Sequence, residues 1–257
     1  MEKLMGQVDE QHIEHWFGQN VETWLFEPIN KVITTYVMSN PASLDKIQVL
    51  NENNMNYLSL YLAIQLVRTK EFREQITELY ERLPLLLAEK FVKNSDGTKP
   101  SELFKIQLNK NHQKLVHAQF LMNQDFVTDI AISMRNKIWF FGYNQTEMPF
   151  VTSDNPVVRY GPSENVGIDT EGTEIIFPIS SKLILILGDT SAYERLIPLH
   201  NHFIEISEKE VEFYNSIQLT QCYRYVFCRE DKFTKFDILV KENEHLMDIN
   251  HKRFFMG

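Results

Sequence analysis

The sequence predicts an α+β protein in which an N-terminal helical layer packs on a mostly antiparallel sheet, with further helices at the C-terminus. Three observations support this fold class. Apolar residues recur every three or four positions over roughly the first 132 residues, which is typical of helices. After Ser133, short runs rich in Ile, Val, Phe, Trp and Tyr alternate with turn residues, which indicates strands. Helical spacing returns after Ser207. We therefore expect a single domain, 1–257, with a helical subregion, 1–132, and a sheet-containing subregion, 133–257.

The predicted helices follow from the apolar spacing and its breaks. Residues 1 to about 40 have helical spacing, with a kink or restart expected at Pro28. The longest periodic stretch runs from about Asn51 to Lys93, and Pro84 is expected to divide it. Ser101 is a candidate cap for a helix that reaches about Met122. A shorter helix is expected around residues 126–132.

The predicted strands are short and separated by turns, at Lys137–Tyr143, Phe150–Thr152, Val157–Tyr160, Thr173–Pro178, Leu183–Leu187 and Phe203–Ile206. Ser207 and Glu210 have the spacing of a capping box and predict the start of another helix. The tail is expected to contain an extended segment at Phe236–Val240 and a last helix from about Asn243.

Composition limits the function classes. The 257 residues include 43% hydrophobic residues, enough for a sizeable core. A net charge of −9 argues against a broad surface for nucleic acid, because phosphate binding needs clustered Lys and Arg. Nothing approaches the ~20 apolar residues that span a bilayer, so no membrane segment is expected. Cys222 and Cys228 are isolated thiols that suit a reducing compartment, which favours a cytoplasmic location.

The candidate site is a polar cluster between two β-type runs. Thr152, Ser153, Asp154 and Asn155 stand together before Pro156. In one interpretation, Asp154 is a catalytic carboxylate that binds a metal or acts as a base, and its three neighbours orient a ligand. In the other, the four residues form a structural turn whose side chains cap backbone groups. Both interpretations remain open from sequence.

A second set of polar residues lies on the long predicted helix. Gln65 and Thr69 stand in or beside the apolar seam, and Arg68 and Arg73 flank it. The two guanidinium groups suit an anionic ligand, because each matches a phosphate or carboxylate bidentately. They also suit structural ion pairs. We predict that Arg68 and Asp154 approach each other and tie the helical half to the sheet.

Other chemistry has weaker support. His200 and His202 share one face of an extended segment, but no third ligand with metal-site spacing accompanies them, so no metal is assigned. A P-loop, a G-x-G-x-x-G loop and a G-x-S-x-G nucleophile motif are all absent. No cofactor can be assigned. Aromatic residues near the start, Trp16 and Phe17 among them, fit a core or a surface for a protein partner or a second copy of the chain.

Three segments, in this order, resemble the bacterial family known as domain of unknown function 4238. They read QLVRTKEFR at residues 65–73, FVTSDNP at 150–156 and IFPIS at 176–180. The resemblance covers roughly residues 15–230. It implies that residues in the first two segments form the site, but it implies no reaction. The family's usual His-Tyr-Val-Pro-Gln motif near the N-terminus is missing, since His12 and His15 have other neighbours.

Two function classes follow. The first is a binding or regulatory module, acting with a partner in a bacterial defence or toxin-like system, whose polar cluster recognises a small anionic ligand or holds the fold. The alternative is a hydrolase for a phosphodiester or phosphorylated substrate, in which Asp154 binds a metal or activates water and Arg68 stabilises developing charge. We favour the first, because the sequence offers no complete catalytic set.

Overall fold

The computed structural model describes residues 22–91, 98–162 and 167–248. The predictions for residues 1–21, including His12, His15, Trp16 and Phe17, lie outside this part of the chain. Helix α1, Glu22–Met38, continues through Pro28 as one element, so the expected restart there is wrong. A 3₁₀ helix, Pro41–Lys46, follows, and the Asn40 side chain accepts a hydrogen bond from the backbone N–H of Ala42.

Two long helices form the centre of the helical layer. Helix α2, Glu52–Val67, packs against α1, and helix α3, Lys70–Phe91, follows after two residues. The prediction that Pro84 divides this stretch is wrong, because Pro84 lies inside α3 and the break falls at residues 68–69. The side chain of Thr69 accepts a hydrogen bond from the N–H of Phe72, which caps the new helix and permits the change of direction.

Three more helices complete the layer: α4, Pro100–Leu103; α5, Lys110–Met122; and α6, Gln124–Arg135. The single helix expected from Ser101 to Met122 is therefore wrong. The chain leaves the helical conformation at Phe104, and Asn109 starts a new helix by accepting a hydrogen bond from the N–H of His112 at 2.9 Å. The predicted helix around residues 126–132 is confirmed as part of α6, which packs against α2.

Five strands form the main sheet: β1, Ile138–Asn144; β3, Val158–Tyr160; β4, Glu174–Ser180; β5, Leu183–Gly188; and β6, His202–Ile206. Their order is β3-β4-β5-β1-β6, and every pairing is antiparallel except β1 with β6. Two further short strands, β2 at Thr152–Ser153 and β7 at Val226–Phe227, pair with each other. The mostly antiparallel sheet is thus confirmed.

Two helices follow the sheet. Helix α7, Glu208–Gln221, starts with the predicted capping box of Ser207 and Glu210. The extended segment expected at Phe236–Val240 is wrong, because these residues lie in helix α8, Thr234–Glu242. Leu239 and Val240 follow Phe236 by three and four positions, and all three pack with Val151 and Leu219, so helical geometry places them on one side. The last element among the described residues is a 3₁₀ helix, Glu244–Met247.

The sheet separates two apolar layers. One face carries Trp139, Phe141 and Phe203, which share a core with Leu58 and Leu62 of α2. The other face packs against α7, whose Val211 and Ile217 contact the core on that side. The architecture is therefore the predicted α+β fold, with α7 forming a third layer.

Among the described residues, no helix combines the length and the apolar character that crossing a bilayer requires.

Candidate functional site

The site lies at the junction of the two subregions, which we define as the first turn of α3, the chain from Ser153 to Arg159, and the end of α7. Its centre is Glu71 of α3, whose side chain is only 5% exposed. One carboxylate oxygen, Oε1, pairs with the guanidinium of Arg159 on β3 and accepts a hydrogen bond from Gln75 at 3.2 Å. The other, Oε2, accepts from the side-chain amide of Asn155 at 3.0 Å. One buried carboxylate thus joins the helical half to the sheet half.

Asn155 is fully buried at this centre. Its Nδ2 donates to Glu71 and to the carbonyl oxygen of Gln221, and these two acceptors fix the orientation of the amide. Its backbone N–H donates to the hydroxyl oxygen of Ser153, which also lies 3.0 Å from Oε1 of Gln218. Oδ1 of Asn155 is buried and has no hydrogen-bond partner. An unpaired buried acceptor of this kind costs about 1–3 kcal/mol, so neighbouring contacts must over-determine the position of Asn155.

Three amide side chains of α7 hold the segment that contains Asn155. Asn215 accepts from the N–H of Val151 and donates to the carbonyl of Pro149, both at 2.9 Å. Gln218 donates to the carbonyl of Pro156, and Gln221 bonds both the N–H and the carbonyl of Arg159. These residues are three positions apart, so they follow one side of the helix. Together they satisfy backbone groups that no sheet partner reaches.

Asp154 points away from this centre and is exposed. Its Oδ1 accepts from the N–H of Tyr223 and its Oδ2 from the N–H of Arg224, each at 2.9 Å. The N–H of Asp154 donates to the carbonyl of Tyr225. The carboxylate therefore fastens the chain that leaves α7 to the turn before Pro156, which is the capping role considered in the sequence analysis.

The buried carboxylate–guanidinium contact between the two halves is not the predicted one. The sequence analysis assigned it to Arg68 of the helical half and Asp154 of the sheet half. In the structure, the acid comes from the helix, as Glu71, and the base comes from the sheet, as Arg159. Arg68 is exposed at the C-terminal cap of α2, where its N–H bonds the carbonyls of Ile64 and Leu66. A buried ion pair therefore joins the two halves, but through Glu71 and Arg159, and the approach of Arg68 to Asp154 stays a prediction.

The remaining predicted residues lie around the junction with different roles. Thr69 is buried, donates to the carbonyl of Leu66 at 2.7 Å and caps α3, and Gln65 is buried in α2. Thr152 pairs with Phe227 in the small sheet. Arg73 is half-buried one turn after Thr69. Its charge is one reason why the pKa of His117 is lowered, although burial of the imidazole is the larger cause.

Sequence reasoning missed Glu71, Arg159, Gln218 and Gln221. Glu71 lies within the segment QLVRTKEFR, but it stands beside two basic residues and so resembled a surface position. Arg159 is the single charge in the strand run VVRY, and that isolation was the available signal. Gln218 entered the prediction only through the helical spacing after Ser207, and nothing in the sequence marked Gln221.

The surface of the junction carries more basic than acidic side chains. Arg68 and Arg224 are exposed on opposite halves, and Lys70 lies over the ring of Tyr223 with its Nζ 4.8 Å from the ring centre. Lys70 also pairs with Glu74 at 3.4 Å. With Arg73, these segments carry four basic side chains against two acidic ones, Asp154 and Glu74, beside the paired Glu71 and Arg159. An excess of basic over acidic side chains attracts anions.

A second polar cluster lies on the sheet face that α7 covers, and no prediction included it. The hydroxyl of Tyr193 donates to Oε1 of Glu174, while Oε2 of Glu174 is buried without a hydrogen-bond partner. Burial raises the pKa of the Glu174 carboxyl, and it also raises the pKa of Tyr214.

The two histidines considered for a metal have other contacts. Nδ1 of His200 accepts from the N–H of Trp139, and His202 contacts the carbonyl of His200. Within residues 22–91, 98–162 and 167–248, no three His, Cys, Asp or Glu side chains lie close enough to hold one metal ion.

Comparison with known proteins places the chain near one described family. A family model described as "Protein of unknown function (DUF4238)" matches residues 2–232. No curated protein and no solved structure is detectably similar to the chain.

Proposed function

Because the chain belongs to the DUF4238 family, whose function is unknown, we propose its function from the junction itself: a binding or regulatory module that recognises a small anionic ligand. The observation that carries the proposal is the excess of basic side chains around a rigid, buried polar network. Arg68, Lys70 and Arg73 come from the end of α2 and the first turn of α3, and Arg224 comes from the segment after α7. A ligand bound among them would touch both halves of the fold.

The chemistry of the arginine side chains supports the same ligand class. Guanidinium groups bind phosphate and carboxylate groups through paired hydrogen bonds. The negative charge of Glu71 does not oppose this, because Arg159 neutralises it.

The hydrolase alternative lacks comparable support. Each carboxylate oxygen of Asp154 already accepts a backbone hydrogen bond, so the group serves the turn that it holds. Cys222 and Cys228 form no disulfide, which suits a reducing environment, and the proposal therefore places the module in the bacterial cytoplasm.

The test is isothermal titration of the full chain with inorganic phosphate, citrate and ATP as probes. We expect at least one of them to bind, and we expect Arg68→Gln and Arg224→Gln each to weaken binding about tenfold. Arg195→Gln is the matched control, because Arg195 is exposed in the 3₁₀ helix Glu194–Leu199, away from the junction. If no probe binds at millimolar concentration, or if all three variants weaken binding equally, the proposal is wrong.

A further inference from the structure

Several large apolar side chains in the C-terminal half of α3 are exposed. The buried residues of α3 end at Ile76, although the helix continues to Phe91. Beyond that point, large apolar side chains are exposed by 41% to 84%: Leu79, Tyr80, Leu83, Leu86, Leu87 and Phe91. On the neighbouring α4 segment, Leu103 and Phe104 are exposed by 57% and 66%. An apolar surface of this extent indicates an interaction site.

A groove of about 450 Å³ lies between this half of α3 and the α4 segment. Seven of its eight lining residues are apolar, and the eighth is Lys105. Sites for small molecules have volumes of roughly 300–1,000 Å³ and combine apolar walls with few polar groups. The volume of the groove lies in that range, and its described lining contains a single cation.

Among the described lining residues, the one charged side chain is a cation, Lys105, in a chain of net charge −9. The described segments beside the groove, residues 81–91 and 98–106, carry four Lys and Arg and three Asp and Glu. Two of these acids are already hydrogen-bonded: Glu89 to the hydroxyl of Ser101, and Glu81 to the N–H of Leu108. Lys90, Lys99 and Lys105 are exposed. An occupant with a negative group therefore complements this surface.

A second copy of the chain fits this surface poorly. A two-fold symmetric contact would bring the same lysines of both copies together, and like charges repel at such an interface.

We propose that the groove binds a single-chain anionic amphiphile, with an alkyl chain along its apolar walls and a carboxylate at Lys105. The proposal is independent of the anion site at the junction, because none of the lining residues belongs to that junction.

The test is titration calorimetry of the full chain with octanoate, decanoate and dodecanoate below their micelle concentrations. Each methylene that enters the groove should lower Kd roughly fourfold. Dodecyltrimethylammonium, which has the same chain length and a positive head, should bind at least tenfold more weakly than dodecanoate. Equal binding of these two dodecyl compounds, or the same Kd for all three carboxylates, would overturn the proposal.

Substitutions in the groove test whether dodecanoate binds there. Ala88→Trp should fill it and Lys105→Glu should reverse its charge, so both should weaken dodecanoate binding at least tenfold. Leu86→Ala and Lys241→Glu are the matched controls, because both residues are exposed and neither lines the groove. Circular dichroism checks that each variant is folded. Unchanged binding in Ala88→Trp, if that variant is folded, would overturn the proposal.

A membrane surface is the competing occupant. Vesicles of phosphatidylglycerol should not co-sediment with the protein if free amphiphile is the ligand. Co-sedimentation without dodecanoate binding would replace the amphiphile with a bilayer as the occupant.

Discussion

Glu71 and Arg159 are held where water solvates neither charge well: their side chains are 5% and 12% exposed. Burying two ions costs several kcal/mol each, and their attraction offsets this only if the remaining polar atoms are satisfied. Asn155 and Gln75 supply those hydrogen bonds to Glu71, and Gln221 bonds the backbone of Arg159. We expect the contact to fix the relative position of the halves more than it adds stability.

The capping role of Asp154 can be tested by its effect on stability. Asp154→Ala removes the acceptor for the N–H groups of Tyr223 and Arg224. We expect the free energy of unfolding to fall by about 1–2 kcal/mol. The value is modest because the residue is exposed and water can replace the acceptor. Urea denaturation measures this. Asp231→Ala, at an exposed position, is the control and should change stability by less than about 0.5 kcal/mol. Equal free energies of unfolding for the two variants would contradict the capping role of Asp154.

Glu174 gives a pH-dependent prediction. Burial raises the pKa of its carboxyl above the ordinary 4.5, while the hydrogen bond from Tyr193 opposes the shift and the charge of Glu210 adds to it. Between the unfolded and folded pKa values the folded state binds more protons. Stability is therefore greatest below pH 4.5 for this group and is lost as pH rises through the folded pKa.

Glu174→Gln should abolish this loss of stability at high pH. The variant should melt at a higher temperature than the wild type at pH 8, and the difference should shrink as pH falls toward 4.5. Melting curves across this range measure it. A difference that stays constant with pH would contradict the assignment to Glu174.

At the scale of elements, α7 holds the site segment through Asn215, Gln218 and Gln221. Asn215→Ala would leave the N–H of Val151 and the carbonyl of Pro149 without partners. Since each unpaired buried group costs about 1–3 kcal/mol, we expect the free energy of unfolding to fall by at least about 2 kcal/mol. The Val151 amide should also exchange its hydrogen faster. Ser216→Ala, at a half-buried position of the same helix whose hydroxyl bonds the carbonyl of Phe213, should leave that exchange rate unchanged. Equal exchange in the two variants would argue against the role of Asn215.

Apolar spacing predicted helices and strands well where one face of the element is buried. It predicted them poorly where a local capping hydrogen bond sets the end of a helix. The capping box at Ser207 and the strands of the main sheet followed from pattern alone. The break between α2 and α3 depends on a side-chain bond of Thr69 that spacing does not reveal, and Pro84 was the more obvious breaker. The α8 region carries apolar residues at both strand and helix intervals, so only packing against Leu219 and Val151 decides it.

At the scale of the molecule, the two subregions share one core. Leu58 and Leu62 of α2 pack with Trp139 and Phe203 of the sheet. A second tie comes from Asn201, whose side chain bonds the N–H and the carbonyl of Leu50. The sequence predicted that the two halves meet at the QLVRTKEFR and TSDNP segments. It could not show which acidic and which basic side chain form the buried ion pair there. That choice depends on which side chains point inward at the junction, and residues 71 and 159 are too distant in sequence for spacing to reveal it.

The most direct test of the Glu71–Arg159 link is a double-mutant cycle with Glu71→Gln and Arg159→Met, followed by urea denaturation. Removing one partner of a buried pair leaves the other charge uncompensated, so each single variant should lose about 3–5 kcal/mol, and the double variant should lose much less than their sum. The exposed pair Glu78 and Arg82 is the reference, with an expected coupling of about 0.3–0.5 kcal/mol. A coupling of more than about 1 kcal/mol between Glu71 and Arg159 is the predicted result. A coupling no larger than that of the reference pair would contradict the account.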